Sequence, residues 1–254
     1  MQCDQTSPVV VTGGASGLGA GTVARLRSLG CPVTSIDLPG SRGETVAEES
    51  GASFVACDMT DAAQVAAAVK QVVAGMGIPR VVINCAGIAP AARTVSRQGP
   101  HDAALFAHVI AVNLTGSFLV ASLFAAHMVT AEPREDNERG VIINTASVAA
   151  FEGQVGQCAY AASKAGIVGL TLPMARDLSS LGVRVCAIAP GIFSTPMVTG
   201  MPDDVQQSLA AQVPFPKRLG TAEDYASLVQ HIIENRMLNG EVIRLDGAIR
   251  MGAK

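Results

Sequence analysis

Seven short runs rich in Val and Ile recur along the chain. They lie at 8–12 (PVVVT), 32–37 (PVTSID), 53–57 (SFVAC), 80–84 (RVVIN), 140–145 (GVIINT), 183–189 (VRVCAIA) and 241–245 (EVIRL). Most lack strict alternation, the pattern of strands buried on both faces of a parallel sheet. Stretches of helical length separate them, at 17–29, 61–75, 103–128, 158–180 and 222–234, with Thr60 and Thr221 placed as N-caps. Such alternation predicts right-handed βαβ crossovers. The fold class is then α/β: a doubly wound, mostly parallel sheet of seven strands with helices on both faces. No linker-like Pro/Gly/Ser stretch divides the chain, so 1–254 reads as one domain, with 89–102 and 130–139 as embellishing loops.

The chain is 49% hydrophobic and only 15% charged, which excludes disorder. A formal net charge of −3 argues against nucleic acid as a partner, since phosphate neutralisation needs a basic patch. The six cysteines are spread along the chain with no CxxC pair, so free thiols in a reducing compartment are expected and no metal site is. Met1 to Pro8 has neither a basic residue nor an apolar core, so no signal or transit peptide is expected. Residues 103–131 contain no Asp, Glu, Lys or Arg and are long enough to span a bilayer. Against a membrane span, the stretch holds His108, Asn113, Thr115, Ser117, Ser122 and His127, and its flank is mixed in sign. A helix apolar all round is otherwise buried on all sides, which here points to a subunit interface.

The first strand runs directly into Thr12-Gly13-Gly14-Ala15-Ser16-Gly17-Leu18-Gly19, which opens a helix. Glycines there let backbone approach a pyrophosphate, and the helix N-terminus offers N–H donors. The spacing from Gly13 is GxxxGxG; its placement between strand and helix favours a cofactor turn over a plain one. Asp37 ends the second strand, where a carboxylate bonds a ribose 2′-OH and repels a 2′-phosphate. Leu38 follows it and Ser16 holds the glycine-loop position where a base could favour a phosphate, which favours NAD over NADP; Arg42, close in sequence, weighs on the other side. Two further strand ends, Cys57-Asp58-Met59 and Asn84-Cys85-Ala86-Gly87, fall where ligands bind in such sheets.

The strongest signal is Ser147 followed by Tyr160 and Lys164. The last two are i and i+4, on one helix face about 6 Å apart along the axis. A neighbouring ammonium favours the phenolate, so Lys164 is expected to lower the Tyr160 pKa into a range useful for acid–base work. Ser147, just after the fifth strand, is placed to hold a substrate oxygen.

Together TGGASGLG, Asp37, NCAG, VNLTG with Asn113, Ser147, YAASK and Pro190-Gly191 resemble the short-chain dehydrogenase/reductase family, in order and over nearly the whole chain. The run RGVIINTASVAAFEGQVGQCAYAASKAGIVGLTLPMARDL, with VPFPKRLG and LNGEVIRLDGAIRM, is similar to that family's type 2 3-hydroxyacyl-CoA dehydrogenase group, also known as 17β-hydroxysteroid dehydrogenase type 10. The resemblance implies a Rossmann-type domain, an NAD-dependent homotetramer, and reversible hydride transfer between 3-hydroxyacyl-CoA and 3-oxoacyl-CoA. A hydroxysteroid or other alcohol dehydrogenase on the same machinery is the alternative, and an inactive NAD-binding scaffold the remote one. By position it implies Tyr160 as acid/base, Lys164 on the nicotinamide ribose, Ser147 on the reacting oxygen, and Asn113 in a water-linked proton relay. Gly13, Ser16, Gly17, Leu18, Gly19, Asp37, Asp58, Met59, Asn84, Cys85, Ala86, Gly87, Pro190, Gly191, Phe193 and Thr195 join Tyr160 and Lys164 at the NAD site. Gln154 and Gln157 line the substrate side. The family's animal members act in mitochondria; the absence of a presequence pattern here makes a cytoplasmic location the expectation.

Some features stay open at this level. The Phe-, Met- and Pro-rich segment 192–216 reads as a mobile substrate flap or as a packed connection. Lys217 and Arg218 read as a solvated pair or as contacts to CoA phosphates. Cys158 reads as a small core filler or as an oxidation-sensitive thiol. Pro173 lies within a helical stretch, and Gly169 four residues before it leaves room for a slight kink without a break.

Overall fold

A computed structural model describes residues 1–253. Its strands are β1 (Val9–Thr12), β2 (Val33–Asp37), β3 (Ser53–Ala56), β4 (Val81–Asn84), β5 (Val95–Ser96), β6 (Gly99–Pro100), β7 (Gly140–Thr145), β8 (Val183–Pro190) and β9 (Val242–Leu245). Its α-helices are α1 (Gly17–Ser28), α2 (Gly43–Ser50), α3 (Ala62–Met76), α4 (Ala103–Ile110), α5 (Ser117–Met128), α6 (Cys158–Ser179), α7 (Pro196–Thr199), α8 (Asp203–Ala211) and α9 (Ala222–Glu234).

Seven strands form one sheet in the order β3-β2-β1-β4-β7-β8-β9, and every pairing in it is parallel. The Val and Ile runs are covered on both faces. Val9 and Val11 join the core beneath α1 and α9, whereas Val10 joins the core beneath α3, α5 and α6. From β1 the chain winds outward through β2 and β3, then returns to place β4 on the other side of β1. That reversal opens a crevice at the carboxyl ends of β1 and β4, where ligands bind in sheets of this kind.

Three local readings change. Thr60 does not cap α3: Asp61 does, its Oδ1 accepting from the Ala63 and Gln64 amides at 2.8 and 3.1 Å. Thr60 instead donates its N–H and O–H to Asp58 Oδ1, both at 2.8 Å. The uncharged helix is a composite, with a π-helical turn at Ala111–Gly116 between α4 and α5. Its 26 residues are long and apolar enough to cross a membrane, yet Val120, Ala121, Phe124 and Met128 are packed into the core beneath the sheet. The loop 89–102 carries the β5–β6 hairpin, and α2, α7 and α8 are additional short helices. Thr221 caps α9 as expected, in a reciprocal capping box with Asp224. Helix α6 runs through Pro173 uninterrupted.

Candidate active site

The glycine turn meets the loop after β4 at van der Waals limits. A Cβ on Gly13 would lie 2.6 Å from the Ala86 amide nitrogen, and Gly13 has φ +68°, so both space and backbone demand glycine. The turn is tied to β2 by Asp37, whose Oδ2 accepts from the Ala15 amide at 2.9 Å and whose Oδ1 accepts from the Leu38 amide at 2.8 Å. A cleft of about 960 Å³ opens there, lined among others by Ser16, Gly17, Asp37, Arg42 and Pro196. Ser16 is the N-cap of α1 and makes no capping bond through its side chain, which leaves the hydroxyl for a ligand.

The second half of the site lies beyond β4 and β7. Ser147 follows β7 and accepts from the Ala149 amide at 3.1 Å, so its own proton is free to reach another oxygen. Tyr160 and Lys164 come from the first two turns of α6. The Lys164 Nζ lies 5.8 Å from the Tyr160 ring centre and donates to the Thr145 carbonyl at 2.7 Å. Gly87 brings the β4 loop against this cation: a Cβ there would sit 3.5 Å from Nζ and 3.2 Å from Asn113 Oδ1. Asn113 occupies the π-helical turn, an irregularity frequent at functional sites. Its fully buried amide is satisfied: Nδ2 donates to the Ile88 carbonyl at 2.8 Å and to Ser163 Oγ at 3.0 Å, and Oδ1 accepts from the Ile88 amide at 2.8 Å.

Charge at the site departs from the sequence expectation. Desolvation pushes the Tyr160 phenol above its ordinary value, and a hydrogen bond with Ser147 pulls it part of the way back. Lowering by Lys164 is therefore not what dominates at Tyr160. The ammonium is itself destabilised, since burial brings Lys164 down from 10.5 to about 8, against a smaller upward pull from Cys85.

The remaining expected residues fall around the same crevice. Thr195 and Pro196 flank the glycine turn, a Cβ on Gly17 lying 3.5 and 3.4 Å from their atoms. Pro190 ends β8 beside Leu245, and Gly191 follows it. Phe193 gives its ring to the core beneath α1 and α9, and Leu18 packs at the edge of that core. Asp58 is half occupied by Thr60, and Met59 is buried against Gly116. Gln154 and Gln157 share one loop, where Gln157 Oε1 accepts from the Gln154 amide at 3.0 Å. Lys217 and Arg218 are both exposed, as the solvated reading has it, and the Arg218 guanidinium makes a two-pronged surface pair with Asp224 at 2.6 and 2.9 Å. Cys158 is exposed, 3.3 Å from Thr94 Oγ1, which removes the core-filler reading. Thr145 joins the site through its carbonyl, which the sequence signals only as a polar residue closing an apolar strand run.

Comparison with known proteins agrees with this geometry. The family model described as short chain dehydrogenase matches residues 7–206. The chain is 55% identical over 246 residues to a Bos taurus protein named 3-hydroxyacyl-CoA dehydrogenase type-2, covering 95% of this chain and 94% of that one. Its Homo sapiens counterpart is 53% identical over the same shares. The crystal structure of 3-hydroxyacyl-CoA dehydrogenase type-2 from Mycobacterium avium superposes with a TM-score of 0.92 at 43% identity, covering 100% of both chains.

Proposed function

This chain belongs to the short-chain dehydrogenase family, and from that premise we propose that it is an NAD-dependent 3-hydroxyacyl-CoA dehydrogenase of the type 2 kind. The observation that carries the chemistry is the meeting of Ser147, Tyr160 and Lys164 beyond the carboxyl ends of β4 and β7, in a sheet whose glycine turn and Asp37 line a cleft at the ends of β1 and β2. The substrate class is supported by relatives of that name at 55% and 53% identity over nearly the full chain.

The residues fit a nicotinamide dinucleotide. The Gly13–Gly19 turn, opening α1, offers backbone N–H groups to a pyrophosphate, and the Asp37 carboxylate suits a ribose 2′-OH and disfavours a 2′-phosphate. Asp58, Met59, Thr195 and the backbones of Asn84, Cys85 and Phe193 would complete that side, since the Asn84 carboxamide is taken up by Thr12, Ser117 and Asn144 and the Cys85 thiol by Tyr225, with Lys164 on the nicotinamide ribose. When bound, the nicotinamide supplies the hydride acceptor or donor. In the oxidative direction Tyr160 as phenolate takes the proton from the substrate hydroxyl, and Ser147 donates a hydrogen bond to that oxygen throughout. The Lys164 ammonium, held by the Thr145 carbonyl, steadies the negative charge on Tyr160. Asn113 holds the Ile88 backbone and Ser163 in place beside them, the setting for a relay through water.

The segment 192–216 acts in this reading as a substrate flap, with Met201, Val205 and Phe215 exposed on it and available to cover an acyl chain. Exposed Phe106 and Phe118 on the uncharged helix and Leu172 on α6 support pairing of these helices between subunits in a homotetramer. All six cysteines are free, which fits a reducing compartment, and the location proposed is the cytoplasm.

The test is turnover by the purified chain. NADH consumption with acetoacetyl-CoA, compared with ketosteroids by kcat/KM, supports the proposal if the acyl-CoA leads and overturns it if a steroid leads or neither reacts. Light scattering at micromolar concentration tests the tetramer, which a monomer would rule out.

A further inference from the structure

Behind β7, on the face away from Lys164, a second set of polar groups is buried in the core. Tyr225 on α9 is fully buried among Val23, Ile143, Val229 and Ile233, and its hydroxyl reaches the sheet. It lies 2.7 Å from Thr145 Oγ1 and accepts from Cys85 Sγ at 3.6 Å. Thr145 Oγ1 has one proton and donates it to the Asn84 carbonyl at 2.6 Å. The Asn84 carbonyl is a much closer acceptor of that proton than Cys85 Sγ, at 3.7 Å, and with the proton so placed Tyr225 donates to Thr145 and Cys85 to Tyr225.

This chain of bonds joins the two strand ends that carry the site. Asn84 and Cys85 close β4, beside the loop that abuts Lys164; Thr145 closes β7, and its carbonyl on the opposite side accepts from Lys164 Nζ at 2.7 Å. We infer that Tyr225 is a positioning residue for the cofactor half of the active site: its hydroxyl pins Thr145 against the end of β4 and so fixes where the Thr145 carbonyl holds the Lys164 ammonium. Tyr225 touches neither substrate nor cofactor. It acts across the thickness of the sheet, from a helix with no other role in the site. The inference rests on the reading of Lys164 as a cofactor-ribose contact, and its effect is expected on the nicotinamide cofactor rather than on the acyl substrate.

The test uses the full purified chain with Tyr225→Phe, which keeps the ring and removes only the hydroxyl. Fluorescence titration with NADH should give a Kd raised about fivefold to tenfold, the weight of one misplaced hydrogen bond. With acetoacetyl-CoA, the KM for NADH should rise and kcat fall, while the KM for the acyl-CoA stays within about twofold, the scatter expected of an unperturbed contact. Thr145→Val breaks the same chain one step nearer the site and should reproduce these changes, with the double variant no worse than either single one. Thr221→Ala, which loosens the start of α9 without touching the hydroxyl, controls for simple destabilisation and should leave the NADH Kd unchanged. An unaltered Kd in Tyr225→Phe, or additive losses in the double variant, would overturn the inference. The titration needs no turnover, so failure of wild-type chain to reduce acetoacetyl-CoA would count against the substrate assignment and not against Tyr225.

Discussion

Tyr160 and Lys164 share a face of α6, yet the Lys164 ammonium donates to the Thr145 carbonyl and sits 5.8 Å from the Tyr160 ring centre. The cation is thus held by the sheet and not by its helical neighbour. The phenol answers to desolvation and to Ser147 instead.

Tyr160→Phe removes the group that exchanges the substrate proton and leaves the ring in place. Turnover should fall by about 100-fold to 10,000-fold, the range of general acid–base catalysis. NADH affinity should persist, because the glycine turn, Asp37 and Lys164 are untouched. Steady-state rates set beside a fluorescence titration separate the two effects, and retained turnover would contradict the role of Tyr160.

Lys164 carries a linkage signature. Its folded-state value of about 8 lies below its ordinary 10.5, so the folded chain holds this proton less tightly than the unfolded one. The resulting destabilisation is full below about pH 8 and is relieved as pH rises from there toward 10.5, a span worth about 3 kcal/mol. Lys164→Met has no such proton. Urea denaturation of both proteins at pH 7.5 and pH 10 should show wild type gaining on the variant at the higher pH; a constant difference would mean Lys164 is not destabilised by burial.

Asp37 both orders the glycine turn, through the Ala15 amide, and presents a carboxylate in the cleft. Asp37→Ala should raise the KM for NAD by about tenfold to a hundredfold, the weight of a hydrogen bond to a charged group. It should also narrow the preference over NADP, since the repulsion of a 2′-phosphate is gone and Arg42 remains in the cleft. Equal use of NADPH by the wild type would overturn this account.

Thr221→Ala dissolves the capping box of α9, in which Thr221 Oγ1 accepts from the Asp224 amide at 3.2 Å. The expected cost is about 1 kcal/mol, or about 2–4 °C in Tm for a chain of this size, with kcat unchanged. Thermal denaturation alongside an activity assay checks both halves.

Much of this protein was decided locally and could be read from residue order. Buried parallel strands are continuous apolar runs, so their positions emerged within a residue or two. The helix period puts Tyr160 and Lys164 on one face wherever α6 is packed, and a glycine turn between strand and helix has one main use in such folds. Short elements were less legible: α2 and α8 run for only eight and nine residues and bury just Gly43 and Ala47 between them, too little core contact to set a period. At the start of α3, Thr60 and Asp61 are both competent caps, and the choice fell to Asp61 because the turn closed by Thr60 on Asp58 starts the helix at Ala62, where the Asp61 carboxylate accepts from the Ala63 and Gln64 amides. Only the tertiary structure decided that Arg218 is paired with Asp224, that the Phe193 ring belongs to the core, and that Tyr225 reaches Thr145 across 80 positions and Cys85 across 140. Local spacing determines which groups share a face of one element. Which groups lose their water, and which distant partner then satisfies them, depends on the strand order that brings β4 beside β7 and lays α9 across both.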